Sequence, residues 1–256
     1  MKKYLPFMLT FVFVSSLSFA EGRIQLGLYS SAITYTEPTV MKEEGTMLGF
    51  SGHFSFFSRE RFRALEVYYS DGYVDYEGSG SIKNIPDKML EIRGLFGGLI
   101  DVSAAYEMSA YIGIGYRNLN DDSSGLVSST LAYGYERDQT YIYMPIGVTF
   151  RPSQNLHAWG LSGRIEYDFL LSGTNHSSLG DVNGYEDVTL HQSSGYGYRI
   201  SLGLSRTFKN TSISIEPFYR YWNIADSMVT YDSSNRRWIE PYNNSKELGV
   251  SLSVTF

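Results

Sequence analysis

Apolar residues occupy every second position through ten separate stretches of the 256-residue chain. The pattern is clearest at the carboxyl end, KELGVSLSVTF, where five apolar residues alternate with small or polar ones: Leu248, Val250, Leu252, Val254 and Phe256. Successive side chains of a β-strand point to opposite faces of the sheet, so this spacing predicts strands with one apolar and one polar face. The chain is therefore expected to be all-β.

The ten predicted strands are joined by connections of two alternating lengths. Short links cover residues 58–61, 101–105, 152–157 and 207–210, and longer ones cover residues 36–45, 76–87, 118–139, 172–194 and 225–245. Strict alternation places all long loops at one end of the sheet, which is the layout of a transmembrane up-and-down antiparallel β-barrel. Eight strands is the alternative, if two weak stretches (the first or third) are miscounted.

A soluble β-sandwich would also have short strands and polar turns. The polar face of these strands, however, consists mostly of Gly, Ser and Tyr, with few charges of both signs. The stretches of roughly 10–12 residues also match the ~9–11 residues of a strand that crosses a bilayer at a tilt. Ordinary strands average ~5–6 residues. Both observations favour the barrel.

The opening MKKYLPFMLTFVFVSSLSFA has the three parts of a secretory signal peptide. Lys2 and Lys3 precede an apolar run, and Ser18-Phe19-Ala20 forms a small-x-small cleavage pattern. We therefore assign residues 1–20 to a signal peptide and residues 21–256 to the barrel; a buried N-terminal helix is the alternative. Removal of the two lysines takes the formal net charge from −6 to −8, which argues against a nucleic-acid partner. The chain has no Cys, so disulfides do not stabilise it.

The carboxyl-terminal pattern resembles the C-terminal signature of the Gram-negative outer-membrane β-barrel superfamily, including small porin-like barrels. The resemblance rests on Leu248, Val250, Leu252, Val254 and Phe256. It implies recognition by the barrel-assembly machinery, location in the cell outer membrane, short periplasmic turns and long extracellular loops. Lipid and lipopolysaccharide are the implied surroundings, and an extracellular ligand is open.

Assigning alternate residues to the lumen places charged side chains of both signs inside the barrel. The acids are Glu66, Glu91, Glu107, Glu166, Asp168, Glu216 and Glu247, and the bases are Arg93, Arg117, Arg164, Arg199 and Arg220. Arginine pairs bidentately with carboxylates, so these residues are expected to form a network that plugs a narrow barrel. The alternative is a selectivity filter for a small polar solute. Five inward aromatics either fill space or line a ligand site: Tyr111, Tyr141, Tyr143, Phe218 and Trp222.

Ten strands with long loops also resemble the omptin proteases, whose site at the extracellular rim uses two acidic residues facing an Asp–His pair. The local match is SGTNHSS, where Thr174 stands in place of the Asp that the family has two residues before its His, here His176. Asp121 and Asp122 match the other acidic pair only in composition. No Gly-x-Ser-x-Gly or His-Glu-x-x-His motif occurs. We expect no cofactor and no metal site.

These patterns lead to one expected function and two alternatives. The expected function is that of a non-enzymatic outer-membrane barrel with a plugged or narrow lumen, whose loops bind a host, phage or envelope partner. The alternatives are a narrow pore for small polar solutes and an omptin-like rim protease. Pro217 is a separate expectation: it lacks a backbone donor, so the ladder should be broken or bulged there.

Overall fold

The computed structural model describes residues 21–58, 60–103, 105–152, 159–209 and 211–256. The assigned signal peptide, residues 1–20, lies outside them, as do His157 and most of the expected turn at residues 152–157. Within these ranges the only helical element is a short 3-10 helix, Leu179–Asp181. No helix in this part of the chain is long and apolar enough to cross a membrane.

Thirteen strands are described. Ten form the barrel: β1 (Glu21–Glu37), β2 (Met41–Ser58), β3 (Arg61–Glu77), β4 (Ser81–Val102), β5 (Tyr106–Asp122), β6 (Glu136–Pro152), β7 (Trp159–Ser177), β9 (Gly195–Phe208), β10 (Thr211–Ile224) and β13 (Asn243–Thr255). Each pairs antiparallel with its neighbours in chain order. The other three lie in the loops: β8 (Val188–Gln192), β11 (Thr230–Tyr231) and β12 (Arg237–Trp238). The expected ten-stranded, all-β barrel is confirmed.

The barrel closes where the last strand pairs with the first. β1 and β13 pair over twelve positions, from Gln25 opposite Thr255 to Thr36 opposite Asn244. The terminal residue takes part: the Phe256 amide donates to the Ile24 carbonyl at 2.8 Å, and the Ile24 amide donates back at 3.3 Å. An open sheet edge in hydrocarbon would leave unpaired backbone groups that cost several kcal/mol each. Closure explains why the chain stays ordered to its last residue.

The outer wall carries a continuous apolar band. Leu28 is 70% exposed, Leu248 64% and Ile165 66%, whereas a water-soluble barrel would bury such residues. Aromatic rings border the band at the long-loop end, where Tyr167 stacks on Tyr196 with ring centroids 5.8 Å apart. Trp159, Phe208, Phe56 and Phe256 border it at the short-turn end and are exposed. An apolar band between two aromatic girdles is typical of barrels that cross a membrane.

Two of the five long loops predicted from the sequence are short turns in the structure, so these two predictions are wrong. β1 continues to Glu37 and β2 begins at Met41, and β3 continues to Glu77 while β4 begins at Ser81. The outward side chains of β2 beyond Leu48 are Thr46, Glu44 and Lys42, so the apolar alternation stops although the strand does not. The sheet therefore extends past the apolar band as a polar tube. Only the β5–β6, β7–β9 and β10–β13 connections are long.

Pro217 interrupts one ladder without changing its register. β10 pairs with β9 up to Ile215 opposite Leu204 and again from Phe218 opposite Ser201. Both pairs belong to the same register, so the ladder is broken for two residues and not bulged. On the other side, Pro217 lies opposite Val250 of β13. The missing donor is tolerated because the pairing on both sides of Pro217 stays in place.

Candidate functional site in the barrel lumen

Six of the predicted lumen residues form one buried network, which we call the central network: Glu66, Glu91, Arg93, Arg164, Glu166 and Arg199. Arg93 is fully buried and donates from Nε to Glu66 Oε2 at 2.9 Å, and its other nitrogens reach Glu66 and Glu166. Arg164 donates to both Glu66 oxygens, at 2.6 and 3.1 Å. Three carboxylates and three guanidiniums balance in formal charge.

The central network joins opposite walls of the barrel. Arg199 on β9 donates to both oxygens of Glu91 on β4, at 2.8 and 2.9 Å. Its Nε lies 3.0 Å from Glu166 Oε1 on the neighbouring β7. Charge-assisted, bidentate bonds of this type are stronger than neutral ones. The network therefore spans the lumen and does not merely line it.

Tyrosine hydroxyls donate further hydrogen bonds to the carboxylates of the central network. Tyr111 donates to Glu166, Tyr143 donates to Glu91, and Tyr68 donates to Glu66 Oε2 at 3.3 Å. Glycines make room for two of these rings: a Cβ at Gly115 would lie 2.2 Å from the Tyr143 ring, and one at Gly147 would lie 2.4 Å from the Tyr111 hydroxyl. The Gly and Tyr of the inward face thus serve to pack a narrow lumen.

The remaining predicted lumen residues lie outside the central network. Arg220 donates to Glu247 at 3.1 Å, and Glu247 also accepts from Ser31 at 2.8 Å. Glu107 lies nearer the short-turn end, where Arg23 and Arg151 both donate to it. Three residues complete the predicted set: Arg117, 5.8 Å above the Trp222 ring; Asp168, fully buried; and Glu216, which lines a cavity described below.

Apolar side chains close the lumen on the long-loop side of the central network. One buried cluster contains Ile33, Met47, Val74, Ile85, Met89 and Leu119. A second combines Tyr141, Tyr143, Leu170, Trp222 and Ile224. The predicted inward aromatics thus pack against one another and against aliphatic residues. A hydrated solute would have to cross both this layer and the central network.

A second charged cluster, which we call the outer acidic cluster, lies inside the polar tube beyond the apolar band. It contains Glu37, Glu43, Asp87, Asp121 and Glu240 around a single arginine, Arg137, and all six are buried. Arg137 donates to both Glu43 oxygens at 2.7 and 2.8 Å and to Glu37 at 3.1 Å. The Tyr35 hydroxyl lies 3.1 Å from both Glu37 Oε1 and Glu240 Oε1 and donates to one of them at a time.

Burial and mutual repulsion change how these acids ionise. Burial, aided by Asp121 and Glu37 and opposed by Arg137, raises the pKa of Glu43 to about 7. Burial and Glu37 raise the pKa of Glu240 to about 7. The pKa values of Asp87 and Asp121, which lie directly opposite each other on β4 and β5, are also raised by burial. The excess of carboxylates over Arg137 is therefore relieved by bound protons near neutral pH.

A cavity of about 550 Å³ occupies the lumen between the central network and the short-turn end. Nine Ser and Thr side chains of the described residues line it: Ser55, Ser109, Thr149, Ser162, Ser205, Thr207, Ser212, Ser214 and Thr255. Its charged lining residues are Arg23, Arg151, Arg164, Lys209, Glu66 and Glu216, together with His53. We call this cavity the chamber. No sequence pattern predicts the chamber, because small residues on an inward face can equally surround bulky neighbours.

The structure places the residues of the considered protease site on two faces of the barrel wall. His176 lies on the outer side of β7 rather than in a loop, and its Nδ1 is 2.9 Å from Thr189 Oγ1. Asp121 points into the lumen, whereas Asp122 points outward on the same strand and accepts from the Ser124 amide at 3.1 Å. Within the described ranges, no group of three His, Cys, Asp or Glu side chains is placed to hold a metal ion.

No protein-family model and no curated protein matches the sequence. Among solved structures, the outer-membrane protease OmpT from Escherichia coli is similar with a TM-score of 0.57 at 8% identity, covering 93% of this chain and 95% of that chain. The translocator domain of the autotransporter NalP from Neisseria meningitidis has a TM-score of 0.42 at 12% identity and covers 90% of this chain and 87% of its own. Neisserial surface protein A has a TM-score of 0.38 at 10% identity and covers 93% and 100%. At such identities the likeness to OmpT concerns the fold, and the displaced His176 and Asp122 give no support to a shared activity. The chain has the fold of a ten-stranded outer-membrane β-barrel.

Proposed function

We propose that the protein is a non-enzymatic barrel of a Gram-negative outer membrane, with a closed lumen and a binding surface on its long loops. The short turns face the periplasm and the long loops face the outside. The apolar band and the two aromatic girdles support the membrane location, and the long loops at one end with Phe256 at the other support this orientation. Lipid and lipopolysaccharide surround the band, and the barrel-assembly machinery acts through the terminal strand.

The observation that carries the closed lumen is the central network. Its three guanidiniums and three carboxylates bond across the barrel, all of them but Arg164 are buried, and an apolar layer follows them. A conducting filter needs sites that an ion can enter and leave, whereas these charges are already paired with one another. The narrow pore is therefore the weaker alternative.

The tips of the long loops supply the binding surface. Leu131 is 79% exposed and Tyr133 66% in the β5–β6 loop, and Met228 is 64% exposed in the β10–β13 loop. Leu131 also has a φ of +68°, a conformation that costs a residue with a Cβ roughly 1–2 kcal/mol. Exposed apolar tips on a rigid polar tube are typical of surfaces that contact another macromolecule.

Conductance of the purified protein in planar bilayers tests the closed lumen. We expect no discrete ion current from the wild-type barrel. Arg93→Ala is measured beside it. This variant removes the most buried side chain of the central network and shows whether ions pass once the network is opened. A discrete current from the wild type, with ion selectivity altered by Arg164→Gln or Arg199→Gln, would establish the pore instead.

Loop substitutions test the binding surface on whole cells. Leu131→Asn removes the apolar side chain and introduces a residue type that tolerates the positive φ of this position. Tyr133→Ser removes the neighbouring ring. We expect both to reduce adherence of expressing cells to host cells or matrix without changing the folded mobility on gels. Leu28→Ala, on the lipid-facing wall, is the control. Unchanged adherence in a triple variant that includes Met228→Ser would refute the loop surface.

A further inference from the structure

The chamber is large enough for a ligand and is enclosed on one side. Its volume of about 550 Å³ falls within the ~300–1,000 Å³ of small-molecule sites. The central network closes its inner end, whereas Lys209, Pro152 and Phe256 border it at the short-turn end. The chamber is thus a dead-end space that a molecule would enter only from the short-turn side.

Its lining combines three kinds of group. Ser and Thr hydroxyls from seven strands form about a third of the lining, with the amide of Gln25 among them. The rings of Phe57, Phe62 and Phe150 add apolar faces. Arg23 and Arg151 both bond to Glu107 and Arg164 bonds to Glu66, so the four cations of the lining face three carboxylates, including Glu216, and the balance favours an anion by one charge. Hydroxyl groups, aromatic faces and arginines together match a molecule that carries many hydroxyls and one acidic group.

The inner end offers hydrogen-bonding atoms that the described protein leaves unused. A small extension of about 40 Å³ is lined by His53, Ser201, Arg199 and Arg220. His53 Nε2, Ser201 Oγ and Arg220 Nε are buried there without a hydrogen-bond partner among the described residues. Ser201 and Arg220 are each only 7% exposed. Buried donors of this kind are normally satisfied by water or by a ligand, so the extension is a place for an acceptor-rich group.

We propose that the chamber binds a small anionic carbohydrate, with the acidic group toward the arginine-rich inner end and the sugar hydroxyls against the Ser and Thr wall. This inference does not depend on the loop surface. In the proposed orientation, the ligand would come from the periplasm. A sugar phosphate and a sugar carboxylate both have this combination of one acidic group and several hydroxyls.

Isothermal titration calorimetry of the barrel in detergent micelles tests the proposal with glucose 6-phosphate, glucuronate, glucose and inorganic phosphate. We expect glucose 6-phosphate or glucuronate to bind at least ~10-fold more tightly than glucose and than inorganic phosphate, since both the charge and the hydroxyls contribute. The better of the two identifies phosphate or carboxylate as the acidic group. Equal binding of inorganic phosphate would reveal a site for anions only and would overturn the carbohydrate.

Variants locate the binding in the chamber. Ser201→Ala removes an unpartnered hydroxyl of the inner end and should weaken binding by about tenfold, whereas Ser30→Ala on the outer wall should leave it unchanged. Ser55→Phe places a ring in the chamber and should abolish binding if Ser201→Ala does not fold, as judged by gel mobility before and after boiling. Absence of binding to every probe, or binding that survives Ser55→Phe in a folded protein, would overturn the proposal.

Discussion

Arg93 is the residue whose loss should most weaken the barrel. It is fully buried and bonds to both Glu66 and Glu166. In Arg93→Met, Glu66 retains Arg164 and Glu166 retains Arg199, so a balanced network of three acids and three bases becomes a buried network with one excess negative charge. Removing one partner from a buried ion pair costs about 3–5 kcal/mol, because the remaining charge stays desolvated. We therefore expect the unfolding equilibrium to shift about 10²–10³·⁵-fold toward the unfolded state.

Urea unfolding in lipid vesicles, followed by tryptophan fluorescence and by folded and unfolded gel mobility, measures this change. Arg206→Met is the matched control: Arg206 lies on the outer wall, with its guanidinium 4.9 Å from the Phe208 ring, and its loss should cost less than ~1 kcal/mol. The double variant Arg93→Met/Glu166→Gln restores charge balance and should recover at least ~2 kcal/mol. A loss below ~1 kcal/mol in the single variant, or no recovery in the double, would refute the role of the central network.

Two further predictions concern packing and pH. Gly115→Ala would place a Cβ 2.2 Å from the Tyr143 ring and should cost ~1–3 kcal/mol in the same urea assay, whereas Gly94→Ala, with open space around it, should be neutral; equal effects would contradict the packing of the lumen. The folded-state pKa values of Glu43 and Glu240 are raised from 4.5 to about 7, so the folded state binds more protons than the unfolded state between these pH values. The stability of the polar tube should therefore fall as pH rises from about 4.5 to 7 and level off above that, by at most about 3 kcal/mol for each carboxyl. Glu43→Gln should flatten the profile measured by urea unfolding or loop proteolysis, and a wild-type stability that rises over this range would contradict it.

The sequence was sufficient for the barrel and for the direction of its side chains. A period of two fixes which residues share a face, and the outward apolar positions of ten strands identified the lipid side. Once the structure supplies the register, the same rule explains neighbours across a ladder, such as Glu66 opposite Arg93 and Arg220 opposite Glu247. The residue types of the lumen could therefore be predicted, whereas the pairings within one ladder also required the strand register.

The contacts across the lumen could not be predicted in this way. The bonds from Arg199 to Glu91 and from Arg164 to Glu66 join strands that are not neighbours, so they depend on the tilt and stagger with which the barrel closes. Nothing in a local pattern records that geometry. Arg93 was recognised as inward, but its position at the centre of the network emerges only from the closed structure.

The outer acidic cluster was missed for a different reason. Arg137 belongs to β6 but falls within a stretch assigned to a loop, residues 118–139, because the outward residues near it are polar. Where a strand leaves the apolar band, both of its faces become polar and the alternation that reveals a strand disappears. Acidic residues close to the predicted strand ends, such as Glu37 and Glu43, were the remaining signal of a tube that continues beyond the membrane.

The position of the charges in the lumen also explains how the described part of the chain keeps a narrow barrel closed. The ladders fix the distance between neighbouring strands but leave the cross-section free to flatten. Bonds from β3 to β7 and from β4 to β7 and β9 act across that cross-section and oppose flattening. Aliphatic packing alone would fill the space but would be weakly directional, whereas guanidinium and carboxylate planes require particular geometry. The central network therefore fixes the shape of the barrel as well as blocking its lumen, and the chamber keeps its volume because the wall above it is held rigid.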